Sequence, residues 1–176
     1  MNDYAPRPGD IGLVNIKGHV GRLIRLGQAL NGDGFADFQH AYVVISGGVE
    51  PSIVEAEPGG ARLAPLSQYD GRKSVFLRCP DEFRDAVSAA AISLLGTPYS
   101  FADYVSLAAR RLHIPAPHLR QFIKDSGHQI CSQLADFAAM RGGWTLFDDG
   151  RWEGDVVPLD LHHLYLKQEL AEAGAP

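Results

Sequence analysis

The chain has 176 residues, 45% of them apolar and 21% charged, which suits one domain around one hydrophobic core. Its net charge of −5 argues against a nucleic-acid partner, because phosphate binding wants a basic face. No run approaches the roughly 20 apolar residues of a membrane span, and the opening "MNDYAPRPGD" lacks the apolar core of a secretory signal.

The elements follow in chain order. "DIGLVN" (10–15) reads as a short strand after a proline-rich lead-in. "HVGRLIRLGQAL" then spaces Val20, Leu23, Ile24, Gly27 and Leu30 as on one helix face. The glycine- and aspartate-bearing "NGDGFADF" (31–38) is a loop. "HAYVVIS" and "SIVEAE", separated by "GGVEP", form a β-hairpin rich in Val and Ile, and "SVFLRC" (74–79) is a further strand. "PDEFRDAVSAAAISLLG" is a helix with Pro80 at its start and Gly96 as stop signal, burying Phe83, Ala86, Val87, Ala90 and Leu94. Ser100 and Asp103 stand at capping-box spacing and open another helix. Prolines 115 and 117 break the chain before the helix that carries Cys131. "DVVPLDLHHLYL" gives a short strand and a last helix from about Asp160, and "ELAEAGAP" is a frayed polar tail. Strands mixed with helices imply an α+β fold, with a small antiparallel sheet packed against helices.

Two cysteines, Cys79 and Cys131, make no disulfide framework, so the chain reads as cytosolic where it is made. That reading also suits a phage-encoded, virion-associated protein. Cys131 shares a helical stripe with Leu134, Ala135 and Ala138, while Ser132, Gln133, Asp136 and Arg141 point elsewhere. It therefore faces the protein body near a helix N-terminus, whose partial positive charge and unpaired amides favour a thiolate. Position alone leaves two readings open, a small core residue and a nucleophile.

A nucleophilic thiol needs a base, and the base needs an orienting group. His40 opens a core strand just after the glycine-bearing loop, and alternation groups it with Tyr42 and Val44. On the partner strand Glu55 lies in the apolar run "IVEA", where a carboxylate is costly unless paired, and a histidine across the ladder would pair it. Glu57 has the same parity and could take its place. Together these residues complete a Cys–His–carboxylate set, although a structural His–Glu contact has the same pattern.

"GTPYSFADY" followed by "ICSQLADF" resembles the G-x-P-Y and C-S-x-L segments of NlpC-type papain-like amidases and peptidases, and "HAYVVISGGVEPSIVEAEPGG" is similar to their histidine strand and the strand after it. Histidine precedes cysteine here, the order of the circularly permuted branch that includes YiiX-like and lecithin:retinol acyltransferase-like enzymes. "RPGDIGLVN" and "GDVVPLDL" look like that branch as well. The resemblance, from about residue 8 to 164, implies a permuted papain-like fold and a cysteine peptidase or amidase. It implies Cys131 as nucleophile, His40 as general base, Glu55 as orienting group and Tyr99 as auxiliary residue beside the thiolate; Ser132 follows the nucleophile. Ile130 and Gln133 stand where cell-wall members have Asp and Gly, residues that help read a peptide stem.

Phe38 and Tyr42, beside the loop that leads into His40, are candidates for contact with an apolar substrate, and equally for closing the core. His128 and Cys131 lie three apart, but no second close pair of ligands exists, so neither a metal nor another cofactor is expected. His162 and His163 are read as a solvated pair and Cys79 as structural. The expected partner is a small peptide, amide or acyl substrate. The same residues would serve a thioesterase or acyltransferase on lipid-like acyl groups. A binding module that kept the fold would show the triad apart, and a purely structural protein would hold Cys131 buried and inert.

Overall fold

The computed structural model describes residues 4–16, 37–57, 59–97, 131–151 and 156–174. Within them five antiparallel strands form one sheet: β1 (Ile11–Val14), β2 (His40–Val44), β3 (Ser52–Glu57), β4 (Gly60–Pro65) and β5 (Ser74–Leu77), in the order β4-β3-β2-β1-β5. The fold is of the α+β class.

The central strand β2 is buried along its whole length, which is why its sequence reads as a continuous apolar run with little alternation. One side of the sheet carries Ile11, Leu13, Ala41, Val43 and Val54 into the main core beneath three helices, α1 (Arg84–Ser93), α2 (Cys131–Arg141) and α3 (Pro158–Ala173). The other side holds a smaller cluster, with Val14, Tyr42, Val44 and Ile53 closed over by Tyr69. The expected hairpin is present as β2–β3, with Tyr42 opposite Glu55 and Val44 opposite Ile53.

Strand β4 has no counterpart in the sequence reading. "GARLAP" is poor in β-branched and aromatic residues and ends in proline. It forms because it pairs with β3 over six positions, from Ser52↔Pro65 to Glu57↔Gly60, and as an edge strand it tolerates the proline. Gly59 and Gly60 carry φ of +118° and +121°, a conformation that only glycine adopts readily, and so make the turn. A single turn of 3-10 helix, Leu66–Tyr69, follows and brings Tyr69 under the sheet.

Helix α1 is preceded by a 3-10 turn, Asp81–Phe83, and its buried stripe is rotated from the expected one. Arg84, Val87, Ser88, Ala91 and Leu94 are buried, and Ala86 is exposed. Close packing against α2 selects small residues on the crossing side: Gly142, just past α2, comes so near that a Cβ there would lie 2.6 Å from the Val87 backbone nitrogen. Helix α2 is buried on more than its expected stripe, since Ser132, Gln133 and Asp136 are enclosed as well. Arg141 alone of the four residues expected off the stripe is exposed.

Helix α3 starts at Pro158, with Asp160 Oδ2 accepting the Val157 N–H at 2.8 Å, and no strand occupies 156–157. It runs to Ala173 through the segment expected to fray. Gln168 explains the extension, because its side chain accepts the Arg78 N–H at 2.8 Å and donates to the Arg78 carbonyl at 2.9 Å. Glu169 and Glu172 pair with the Arg78 guanidinium. No helix among the described residues is long and apolar enough to cross a membrane. The helices expected at 20–30 and after Ser100, and most of the 31–38 loop, lie outside the described residues.

Candidate active site

The β2–β3 ladder ends at the Tyr42–Glu55 pair, two residues short of the start of β2. Alternation puts His40 on the same face as Tyr42, so His40 and Glu55 are diagonal neighbours across the ladder, within reach for long side chains. His40 Nε2 meets Glu55 Oε2 at 2.8 Å, with both groups buried. Glu57, the other carboxylate of that parity, is partly exposed and lies 3.7 Å from Arg62. Glu55 is therefore the partner of His40.

Cys131 is the first residue of α2 and 8% exposed. Its sulfur lies beside the His40 ring and near the backbone N–H groups of Ala41 and Ser132, which all favour its ionised form. With Nε2 held by Glu55, Nδ1 is the ring nitrogen left for the cysteine. The Ala41 amide lies just beyond the last β2–β3 pair, and the Ser132 amide belongs to the unpaired first turn of the helix. Both are donors that secondary structure leaves free to turn toward sulfur.

The electrostatics follow from these contacts. Burial pushes the Cys131 thiol up, but the His40 imidazolium and the two amides outweigh it and hold the thiol below its ordinary value. Burial likewise opposes charge on His40, yet the Cys131 thiolate and the Glu55 carboxylate raise the imidazole to about 10. Glu55 is buried too, but hydrogen bonds from His40, Tyr69 and Gln68 lower its carboxyl to about 2. These contacts favour a thiolate–imidazolium–carboxylate arrangement of the three groups.

Three partners of Glu55 escaped the sequence reading. The Tyr69 hydroxyl donates to Oε2, the Gln68 amide donates to Oε1 at 2.8 Å, and Arg62 Nη2 lies 2.7 Å from Oε1. Arg62 stands opposite Glu55 in the β3–β4 register. The signal that could have found it is the "GG" at 59–60, a hairpin turn directly after "SIVEAE". His40, Glu55 and Glu57 bring ligand atoms within 4.8 Å of one another, as a metal site would. Each Glu55 oxygen, however, is already engaged by two donors.

The remaining expected residues are placed as follows. The Ser132 hydroxyl donates to the Val156 carbonyl at 2.7 Å, a bond that ties the start of α2 to the chain before α3. Phe38 and Tyr42 are 1% and 0% exposed and close the two clusters, the second of the roles open to them. His162 is no solvated partner of His163: its ring stands edge-on to Phe38 at 4.8 Å, while His163 is exposed. Cys79 is buried, and burial raises its thiol to about 12. Tyr99 and His128 lie outside the described residues. No protein-family model matches the sequence, and no curated protein matches it significantly.

Proposed function

We propose that the chain is a cysteine hydrolase of the permuted papain-like type, cleaving an amide bond of a peptide or small amide with Cys131 as nucleophile. The observation that carries the reading is the placement of His40, bonded to Glu55 through Nε2 and lying beside the cysteine that opens α2. The resemblance of "GTPY", "ICSQL" and the histidine strand to that branch agrees with it.

The reaction uses these groups in sequence. The Cys131 thiolate, whose proton His40 has taken, attacks the substrate carbonyl carbon, and the negative charge moves to oxygen beside the amides at the start of α2. The C–N bond breaks as His40 returns the proton to the leaving amine, and the acyl group stays on sulfur as a thioester. His40 then takes a proton from water, the hydroxide adds to the thioester carbonyl, and the C–S bond breaks to release the acid. Glu55 holds the imidazole in place and balances its charge. Two free cysteines suit the reducing cytosol, where a thiolate nucleophile stays reduced.

The row of aligned groups speaks against a binding module with its triad dispersed. Amide and thioester substrates call on the same three side chains, and turnover separates them. The test is iodoacetamide alkylation of Cys131 as a function of pH in Cys79→Ala protein. The rate should persist well below the ordinary thiol value of about 8.5 and lose that low-pH limb in His40→Ala. Assays on amides, esters and thioesters then identify the bond. A thiol of ordinary pH dependence, indifferent to His40, would leave a binding or structural protein.

A further inference from the structure

Glu55 has more partners than the orientation of one histidine requires. Beyond His40 they are Arg62 on β4 and Gln68 and Tyr69 on the 3-10 turn that follows it. A buried carboxylate has two ways to relieve its burial, to take up a proton or to collect donors. Here donors occupy both oxygens, so the carboxylate cannot rotate without breaking bonds on each.

Tyr69 is the most constrained of the three. It is buried, and its ring stacks on Tyr42 with centroids 5.3 Å apart and planes within 9°. Its hydroxyl reaches Oε2, the oxygen that also bonds His40, and its ring lies 5.8 Å from the imidazole. Gln68 is half-buried and takes the other oxygen, while its own carbonyl accepts from Arg62 at 3.2 Å. Stacking fixes where the phenol sits, and the short turn fixes Gln68 beside it.

Resting on the reading of Cys131 as nucleophile, we infer that Tyr69 and Gln68 are positioning residues for that reaction: they hold Glu55 ionised and aligned on His40, and through it sustain the Cys131 thiolate. Neither touches the substrate. Removing the phenol hydroxyl leaves Oε2 with His40 alone and frees the carboxylate to turn, so the imidazolium is held less squarely beside the sulfur. The thiolate then loses part of the stabilisation that the imidazolium provides. The acid limb of Cys131 reactivity should therefore move upward in pH, by about one unit for one hydrogen bond to a charged group.

The experiment places Tyr69→Phe and Gln68→Ala separately in Cys79→Ala protein and follows iodoacetamide alkylation from about pH 4 to about pH 9.5, on either side of the ordinary thiol value. Phenylalanine keeps the ring stacked on Tyr42 and deletes only the donor. The expected result is an acid limb raised by about one pH unit in Tyr69→Phe and by less in Gln68→Ala, with the alkaline plateau unchanged. Profiles that superimpose on the parent overturn the inference, even if thermal melting is lowered, because a purely structural role moves stability and not proton affinity. A parent with no low-pH limb overturns the nucleophile reading and this inference together; a parent limb that neither variant moves overturns this one alone. If Tyr69→Phe loses its cooperative melt, Gln68→Ala decides, since its half-buried amide can be removed without opening the core.

Discussion

The two cysteines show how far surroundings decide the chemistry of one residue type. Both are buried and free, yet burial drives the Cys79 thiol up to about 12 while His40 and two backbone amides draw Cys131 below its ordinary value. Glu55 is the residue through which that contrast is tested. Glu55→Gln keeps shape and removes charge, so the imidazolium loses its counter-ion. Alkylation of Cys131 near pH 6 should fall on the order of 10²-fold. The same variant changes acid stability. A carboxyl lowered to about 2 in the folded protein sits below its unfolded value of about 4.3, so its stabilisation is complete above about pH 4.3 and is lost as pH falls toward about 2. Urea titrations across that window should show this loss in the parent and its absence in Glu55→Gln. The sequence made Glu55 visible as a carboxylate in an apolar run, and it left Glu57 as an equal. Only the cross-strand geometry separates them.

Among the elements, strands β1 and β2 carry a packing arrangement that reaches the site. Gly12 faces Tyr42 across the ladder, and a Cβ at Gly12 would lie 2.0 Å from the tyrosine ring, which occupies the space over the glycine. That ring in turn stacks on Tyr69. Gly12→Ala should push Tyr42 aside and cost about 1–3 kcal/mol, measured as a lowered urea midpoint at unchanged slope. Apolar runs and glycine breaks announced β1, β2, β3 and β5, because strands with enclosed faces must be apolar. Strand β4 gave no such sign. It is held by six cross-strand positions whose partners are all on β3, and a hydrogen-bond ladder leaves little trace in composition.

At the scale of the whole molecule, Asp10 gathers distant parts of the chain. Its carboxylate accepts from Arg84 Nη1 at 2.7 Å and the Cys79 N–H at 3.0 Å on one oxygen, and from the Tyr4 hydroxyl and the Arg7 N–H on the other. Gly9, at φ +87°, lets this segment pass against α1, where a Cβ would sit 2.9 Å from Arg84 Cα. Arg84→Met removes the cation and leaves a buried carboxylate with neutral donors only. Stability should fall by about 3 kcal/mol in urea unfolding. The pH profile of Cys131 alkylation should stay where it is, because none of these bonds touches His40 or Glu55.

The sequence by itself determined the α+β class, the hairpin that carries His40 and Glu55, and a cysteine at the start of a helix. Each is a local matter of periodicity, turn chemistry or the cost of an unpaired charge, which neighbouring residues reveal. The tertiary structure decided that these three groups meet, that Glu55 and not Glu57 holds the histidine, and that Tyr69, Gln68 and Arg62 surround the carboxylate. It also placed Phe38 and Tyr42 inside the core and carried α3 through its polar end on contacts with Arg78. Those outcomes depend on packing and hydrogen bonds between residues far apart in the chain, where no spacing rule records which side chains the folded backbone brings together.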